Sequence, residues 1–362
     1  MQQIDGGKEN NMETKHRVMY LDLLRVVAIF LMMVLHIASG YLNSTPMGSV
    51  NWHAANVYES MVRCCVPIFL MISGRFFLDP NREYTFEKIM TKNIKKLAIA
   101  FGIWSFAYAI YACLADSDHS VTHCIKTFFQ QFFTGHYHMW FLFTLAGIYL
   151  CVPFLRKITV DKKLTGQMLL VAAVFLFVLP FLEDVLPFVD GILQVINSDI
   201  GFGLLGAHAF YFVLGYYISA VLVPVKWYIL SFIGGIGALF YISLGTYHLS
   251  EQAGSSVQSL YQYETLPVLL ESIAVFLLFR KLFEQAAFCE KAERILKRFS
   301  SASFGMYLIH DFFNALFIQI GGLGWNISYA ILIPVVSLAV FFASFLSIEV
   351  LRRIPVIGTH IM

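Results

Sequence analysis

YLDLLRVVAIFLMMVLHIASGY, residues 20–41, decides the fold, because it is long and apolar enough to cross a bilayer yet holds Asp22, Arg25 and His36. A helix needs about 20 predominantly apolar residues to span the hydrocarbon core. An Arg placed centrally in such a helix costs roughly 2.5–3.5 kcal/mol on insertion scales, so an ionisable group there calls for a function and a partner. Eleven positions separate Arg25 from His36. At 3.6 residues per turn this is about three turns, which puts both side chains on one helix face about 16 Å apart along the axis. Asp22, one turn before Arg25, extends the same stripe.

The rest of the chain has the same character. Its 362 residues are 58% hydrophobic and 13% charged, with a mean hydropathy of +0.70, which excludes a soluble globular domain. The segments are apolar on nearly all faces and lack the ten-residue alternation of a transmembrane barrel. The sequence therefore predicts an all-α integral membrane protein. Ten spans are expected, near 18–41, 54–78, 95–115, 138–156, 167–186, 202–223, 226–248, 264–283, 302–320 and 327–351.

Charge orients them. Basic residues fill alternate connections: Arg82, Lys88, Lys92, Lys95 and Lys96; Arg156, Lys157, Lys162 and Lys163; Lys226; Arg280 to Arg298; and Arg352 with Arg353. The intervening connections are nearly free of them, and one is acidic, with Glu183, Asp184, Asp190 and Asp199. Of the 25 Lys and Arg residues, Arg25, Arg63 and Arg75 lie in spans, Lys126 alone falls outside, and the others fall inside. By the positive-inside rule both termini are cytoplasmic. Pro180 and Pro187 interrupt the apolar run of 167–223 and make it the least regular part of this topology. Residues 1–17 read as a polar cytoplasmic tail, 18–353 as the membrane domain and 354–362 as a short closing tail. The first apolar run is too long for a signal-peptide core, so an uncleaved first helix is expected.

The six cysteines form no disulfide framework, since Cys64, Cys65, Cys113 and Cys151 fall in or at apolar spans and Cys289 in an inner loop. There is no Cys-x-x-Cys or His/Cys ligand spacing, so no metal is expected. Phosphate-binding glycine loops, a nucleophile elbow and a basic aromatic nucleic-acid platform are also missing. No bound cofactor and no nucleic-acid partner are expected. The partners implied are the lipid bilayer and lipidic, glycosidic or coenzyme-like molecules.

His36 is a candidate general base, because imidazole titrates near neutrality; the plainer reading is a hydrogen bond to a neighbouring helix. Arg25 fits a phosphate or carboxylate, or pairs with Asp22 while snorkelling. Glu59 and Arg63, one turn apart, read as a structural ion pair. Ser73-Gly74 allows close helix approach or breaks the helix, and Arg75 after it is either an interface anchor or a ligand contact. His138 and Trp140 open the fourth span from the outer side and are read as substrate contacts beside ordinary belt aromatics. In the ninth span Ser303, Tyr307 and His310 share a stripe, with Asp311 adjacent. Four spans thus offer polar groups to one buried cavity.

These stretches resemble acyltransferase family 3, the bacterial membrane O-acyltransferases that decorate envelope glycans. The opening signature is an Asp, three residues on an Arg, then ten residues and a His: Asp22, Arg25 and His36 here. Pro67-Ile68-Phe69 through Ser73-Gly74 is similar to the family's Phe-Phe-x-x-Ser-Gly, His138-Met139-Trp140-Phe141-Leu142 to its His-x-Trp-Phe/Tyr-Leu, and Ser303 to Tyr307-Leu308-Ile309-His310 to its Ser-x-x-x-Tyr-Leu-x-His. Lys95-Lys96 before the third span matches as well. Arg75 departs from the aromatic or small residue usual after Ser-Gly. No SGNH hydrolase-type domain is seen, so the chain resembles the stand-alone members.

The resemblance implies transfer of an acyl group, usually acetyl, from acyl-CoA to a hydroxyl of a carbohydrate or glycolipid acceptor at a bacterial cell membrane. It implies His36 as base or transient acyl acceptor, with Arg25 orienting it or binding the donor. Asp22 completes that signature, and Ser73, Arg75, His138, Trp140, Ser303, Tyr307 and His310 become substrate or donor contacts. The rival from another class is a permease of a small polar substrate, because polar groups at mid-depth also serve transport, as in the related membrane halves of vancomycin-resistance serine racemases. The absence of an internal repeat between the halves weighs against it.

Overall fold

Inside a bilayer each backbone polar group must find its partner within the segment or in a closed barrel, so apolar runs of this length become helices. The computed structural model describes residues 6–118, 120–186, 206–321 and 327–354, and every long element among them is helical. Asp190, Asp199, Pro187, the connection 322–326 and most of the closing tail lie outside the described residues.

Helix α1 runs without interruption over Gly6–Ser44, so the polar leader 6–17 continues the first span as helix. α2 (Val50–Met61) is capped by the Ser49 hydroxyl, which accepts from the Trp52 amide at 3.1 Å. α3 (Cys65–Phe77) follows after a break at Val62–Cys64. Pro67 accounts for that break, because its ring cannot donate to the Arg63 carbonyl and crowds it. α4 (Phe86–Ala115) contains a π-helical turn at Ile89–Ile94. Next come α5 (Val121–Thr134), α6 (Trp140–Thr159), α7 (Lys162–Val185), α8 (Ala207–Ala220), α9 (Val225–Ala253), α10 (Leu266–Phe283), α11 (Glu290–Gly321) and α12 (Tyr329–Leu351).

The connection expected at 116–137 is thus mostly helix. Its apolar Ile125, Phe128, Phe129, Phe132 and Phe133 recur at helical spacing, and α5 packs back on α4. α7 passes through a π-helical stretch at Val174–Val178 just before Pro180. That is where the missing proline N–H removes a rung of the ladder.

Seven stretches among the described residues are long and apolar enough to cross a membrane: Met19–Ser44, Val50–Phe77, Phe86–Ala115, Val121–Thr159, Lys162–Val185, Val225–Ala253 and Tyr329–Leu351. They take in the first five, the seventh and the tenth of the expected spans. The other three are helical as well, as α8, α10 and α11. However, α8 has only 14 residues, α10 carries Glu271, Arg280 and Lys281, and α11 opens on a charged segment.

α1 is the hub of this integral membrane bundle, packing against α2, α3, α10, α11 and α12. α3 and α8 cross at close backbone contact. A Cβ on Gly74 would lie 1.7 Å from the Phe212 carbonyl oxygen, and one on Gly215 would lie 2.2 Å from that of Met71. Glycine at both positions is what lets these backbones touch. Arg280 of α10 donates to the carbonyls of Ile218 and Val221 at the end of α8, satisfying groups that a helix C-terminus leaves open.

Candidate active site

A cavity of about 500 Å³ opens among α1, α3, α4, α6 and α11. Its lining includes Arg25, His36, Ser73, His138, Trp140, Ser303 and Tyr307, so most of the residues singled out in the sequence meet in one place. Arg25 and His36 face the same space, as their shared helix stripe requires.

One end of the cavity is basic. Arg25, Arg82, Asn93, Lys96, Ser300 and Ser301 line it. Arg25 donates to the Ser300 hydroxyl at 3.3 Å, and that hydroxyl donates to Asp22 Oδ1 at 2.6 Å. Arg25 itself stands 3.8 Å from the same carboxylate oxygen. The guanidiniums of Arg25 and Arg82 flank the Phe76 ring at 5.5 and 4.9 Å, and the Lys96 ammonium lies over Phe304 at 5.4 Å, within cation–π range. The π-helical turn of α4 supplies Asn93, whose buried Oδ1 has no hydrogen-bond partner among the described residues. The middle is apolar, formed by Met32, Leu35, Val66, Phe69, Phe141 and Leu145 with Tyr149.

The turn that carries Arg82 is held from below. Arg156 donates to the carbonyls of Phe77 at 2.7 Å and Asp79 at 2.9 Å, and also to that of Arg82. Arg75 is not among the lining residues. It donates to Asp79 Oδ2 at 2.9 Å, and its place is structural support of this turn. Burial pulls the Asp79 carboxyl upward, but hydrogen bonds from Arg75 and from the Asn81 amide outweigh it and hold the group below its ordinary value.

The other end is a histidine cluster. His36 and His138 line the cavity, while His310 is fully buried behind them, its ring centroid 4.9 Å from each of theirs. His310 Nδ1 bonds the Tyr307 carbonyl at 2.7 Å, and the Tyr307 hydroxyl donates to the His138 carbonyl at 2.6 Å. Trp140 stacks on Tyr263, centroids 5.9 Å apart, and both border the cavity. Ser73 and Ser303 border it too, with hydroxyls turned to the Phe69 and Ser300 carbonyls at 2.8 Å each. Asp22 and His310 therefore support the lining rather than belong to it.

Tyr137 is a neighbour of His36 that the sequence does not single out, and Asp311, expected there only as the residue adjacent to His310, joins it. The Tyr137 hydroxyl lies 2.7 Å from Asp311 Oδ1 and 3.3 Å from His36 Nδ1. A hydroxyl has one proton, and the carboxylate is acceptor-only. Tyr137 therefore donates to Asp311 and accepts from His36 Nδ1–H, which leaves the lone pair of His36 on Nε2. Tyr137 resembles a belt aromatic in sequence; the histidine on each side of it was the available signal.

Away from the cavity, Glu59 and Arg63 form the expected ion pair, with the guanidinium over the Tyr261 ring at 4.4 Å.

The sequence profile of the acyltransferase domain matches residues 18–349, nearly the full chain. The chain belongs to acyltransferase family 3. This family 3 protein is therefore a membrane acyltransferase. No curated protein and no solved structure matches it significantly.

Proposed function

We propose that the protein moves an acyl group, acetyl in the simplest case, from acyl-CoA to a hydroxyl of an envelope glycan or glycolipid at the bacterial cell membrane. The observation that carries this reading is the single cavity joining a basic end at Arg25 to an imidazole at His36. Cationic side chains in a partly buried site suit the phosphates of CoA. The apolar middle suits its pantetheine arm, and the thioester then reaches the histidine end.

At that end His36 Nε2 takes the proton of the acceptor hydroxyl as its oxygen attacks the thioester carbonyl. The new C–O bond forms, the C–S bond breaks, and the proton leaves His36 for the departing CoA thiolate. Tyr137 and Asp311 keep the Nδ1–H side of the ring fixed and stabilise the imidazolium. At about 16 Å from His36 along α1, Arg25 is too distant to orient that ring, so donor binding is the role assigned to it. Asp22 holds Arg25 through Ser300. Trp140 and Tyr263 offer an aromatic surface beside His36 for the acceptor.

The test is transfer of label from radiolabelled acetyl-CoA by the purified protein, with a mixed glycan and glycolipid extract as acceptor, comparing wild type with His36→Ala. Label in glycan with wild type alone is expected. Retention of most activity by folded His36→Ala would remove the base assignment. Acetyl-CoA binding with neither CoA release nor labelled product across the acceptors would leave transport as the better reading.

A further inference from the structure

Gly135, at φ +74°, turns the chain out of α5 into a short hook that carries His136 and His138 before α6 begins. A side chain at that glycine would face both the left-handed conformation and the Phe101 ring, 2.7 Å from its Cβ. The hook folds against α11, where Asp311 sits.

We propose that His136, His138 and Asp311 bind a divalent transition-metal ion, with zinc the best match to the donor set. His136 Nδ1 lies 3.0 Å from His138 Nδ1 and 3.5 Å from Asp311 Oδ2, and the three ligand atoms all fall within 4.8 Å of one another. Zinc holds imidazole nitrogen at about 2.0–2.1 Å, so two ligands in tetrahedral directions stand about 3.4 Å apart. The two measured separations bracket that value. Two imidazoles and one carboxylate suit zinc and its first-row neighbours rather than calcium or magnesium.

Charge supplies an independent argument. Asp311 is 12% exposed, and its one ion-pair partner among the described residues is His136. Among the described residues no Lys or Arg pairs with it. A carboxylate this withdrawn from water needs compensating positive charge, and a divalent ion between the two Nδ1 atoms and Oδ2 provides it.

The surroundings are those of a supported site. The other carboxylate oxygen, Oδ1, accepts from the Tyr137 hydroxyl at 2.7 Å and from Asn314 Nδ2 at 3.1 Å, which turns Oδ2 towards His136. Tyr108 stacks on the His136 ring with centroids 4.3 Å apart, and its hydroxyl is tied to the Leu308 carbonyl at 2.9 Å. Outer contacts of this kind orient metal ligands. The ion would staple the hook to α11 and fix Asp311 for Tyr137. Cys-x-x-Cys-type spacing misses such a site because one ligand comes from a distant helix.

The experiment is elemental analysis of the full-length protein, purified through a tag without histidine, after incubation with zinc and dialysis. About one zinc per chain is expected in wild type, lost on treatment with a strong chelator and in Asp311→Asn and His136→Gln. Asn314→Ala, which leaves all three ligands in place, should weaken zinc binding on the order of 10–100-fold. X-ray absorption on wild type, which depends on no variant, should show two imidazoles and an oxygen donor. Folded wild type that retains no zinc overturns the proposal, as does zinc that stays bound when all three ligands are replaced. Because the reading needs no substrate, it stands or falls apart from the acyl-transfer assignment.

Discussion

Gly74→Ala is expected to loosen the α3–α8 crossing beside the cavity. The added Cβ would stand 1.7 Å from the Phe212 carbonyl oxygen and 2.6 Å from its carbon, against 3.4 Å for the near limit of ordinary contact. The obstacle is backbone in the middle of a helix, so no side-chain rotation relieves it and α8 has to retreat by more than 1 Å. A gap of about 0.5–1 Å already forfeits a quarter to a half of the dispersion attraction across it, and Met71, Phe212 and Leu214 are buried there. Overpacking of this kind costs about 1–3 kcal/mol. The upper end applies here and, at about 2.1 cal/mol/K of unfolding entropy per residue over 362 residues, corresponds to a fall of about 4 °C in melting temperature. Gly102→Ala is the control, because nothing lies within 4 Å of its Cβ position and alanine there improves helix propensity by about 1 kcal/mol. Both variants would be melted in detergent by tryptophan fluorescence. If Gly74→Ala melts with Gly102→Ala and the wild type, the close approach of α3 to α8 is wrong.

Four further outcomes are expected. Tyr137→Phe removes a hydrogen bond to a charged group, worth about 1.5–3 kcal/mol, and should lower the rate of acyl transfer about 10–100-fold with little change in KM for the donor; an unchanged rate would remove Tyr137 from the mechanism. Arg25→Gln should raise KM for acyl-CoA about 10–100-fold, yet leave an acyl-pantetheine donor without phosphates nearly unaffected; equal losses on both donors would show that Arg25 does not read phosphate. Breaking the buried Glu59–Arg63 pair by Glu59→Ala should cost about 3–5 kcal/mol of stability, more than replacing both residues together, and melting curves of the two variants beside the wild type compare them. The lowered carboxyl of Asp79 means that its contacts stabilise the fold fully above its ordinary value of 3.8 and progressively less as pH falls through the lower folded value. The melting difference between wild type and Asp79→Asn should therefore stay constant near neutrality and shrink only below 3.8.

Much of the bundle was legible because its signals are local. Apolar runs, basic connections and prolines each act within a few residues, and they placed the ten expected spans on helix, though not the separate α5. Ser73-Gly74 was open to two readings, close approach or a break, and Gly74 makes the close approach while the break falls at Val62–Cys64, before Pro67. Charge does not reveal the helix at 121–134, where Lys126 is the one basic residue; the phenylalanine spacing does. Charge pattern counted α8, α10 and α11 as spans; length and hydropathy alone do not, because α8 is short and the charges of α10 and α11 dilute an apolar window.

The site divides in the same way. Arg25 and His36 share one helix, so eleven positions and 3.6 residues per turn are enough to place both on one face. Nothing comparable links His36 to Asp311, which are 275 positions apart in sequence and joined by hydrogen bonds through Tyr137, a residue of a third segment. Such a chain of contacts exists only after α1, the hook and α11 have packed. What a single sequence does contain is the cost of an ionisable residue within an apolar run, and each such cost demands a partner. For Arg25 the partner is Asp22 through Ser300, for Glu59 it is Arg63, and for Arg75 it is Asp79. Among the described residues, the polar partners of Asp311 are a histidine, a hydroxyl and an amide. By the reasoning that singled out Arg25, that carboxylate is where a missing positive charge is to be sought, and metal analysis is the direct way to look for it.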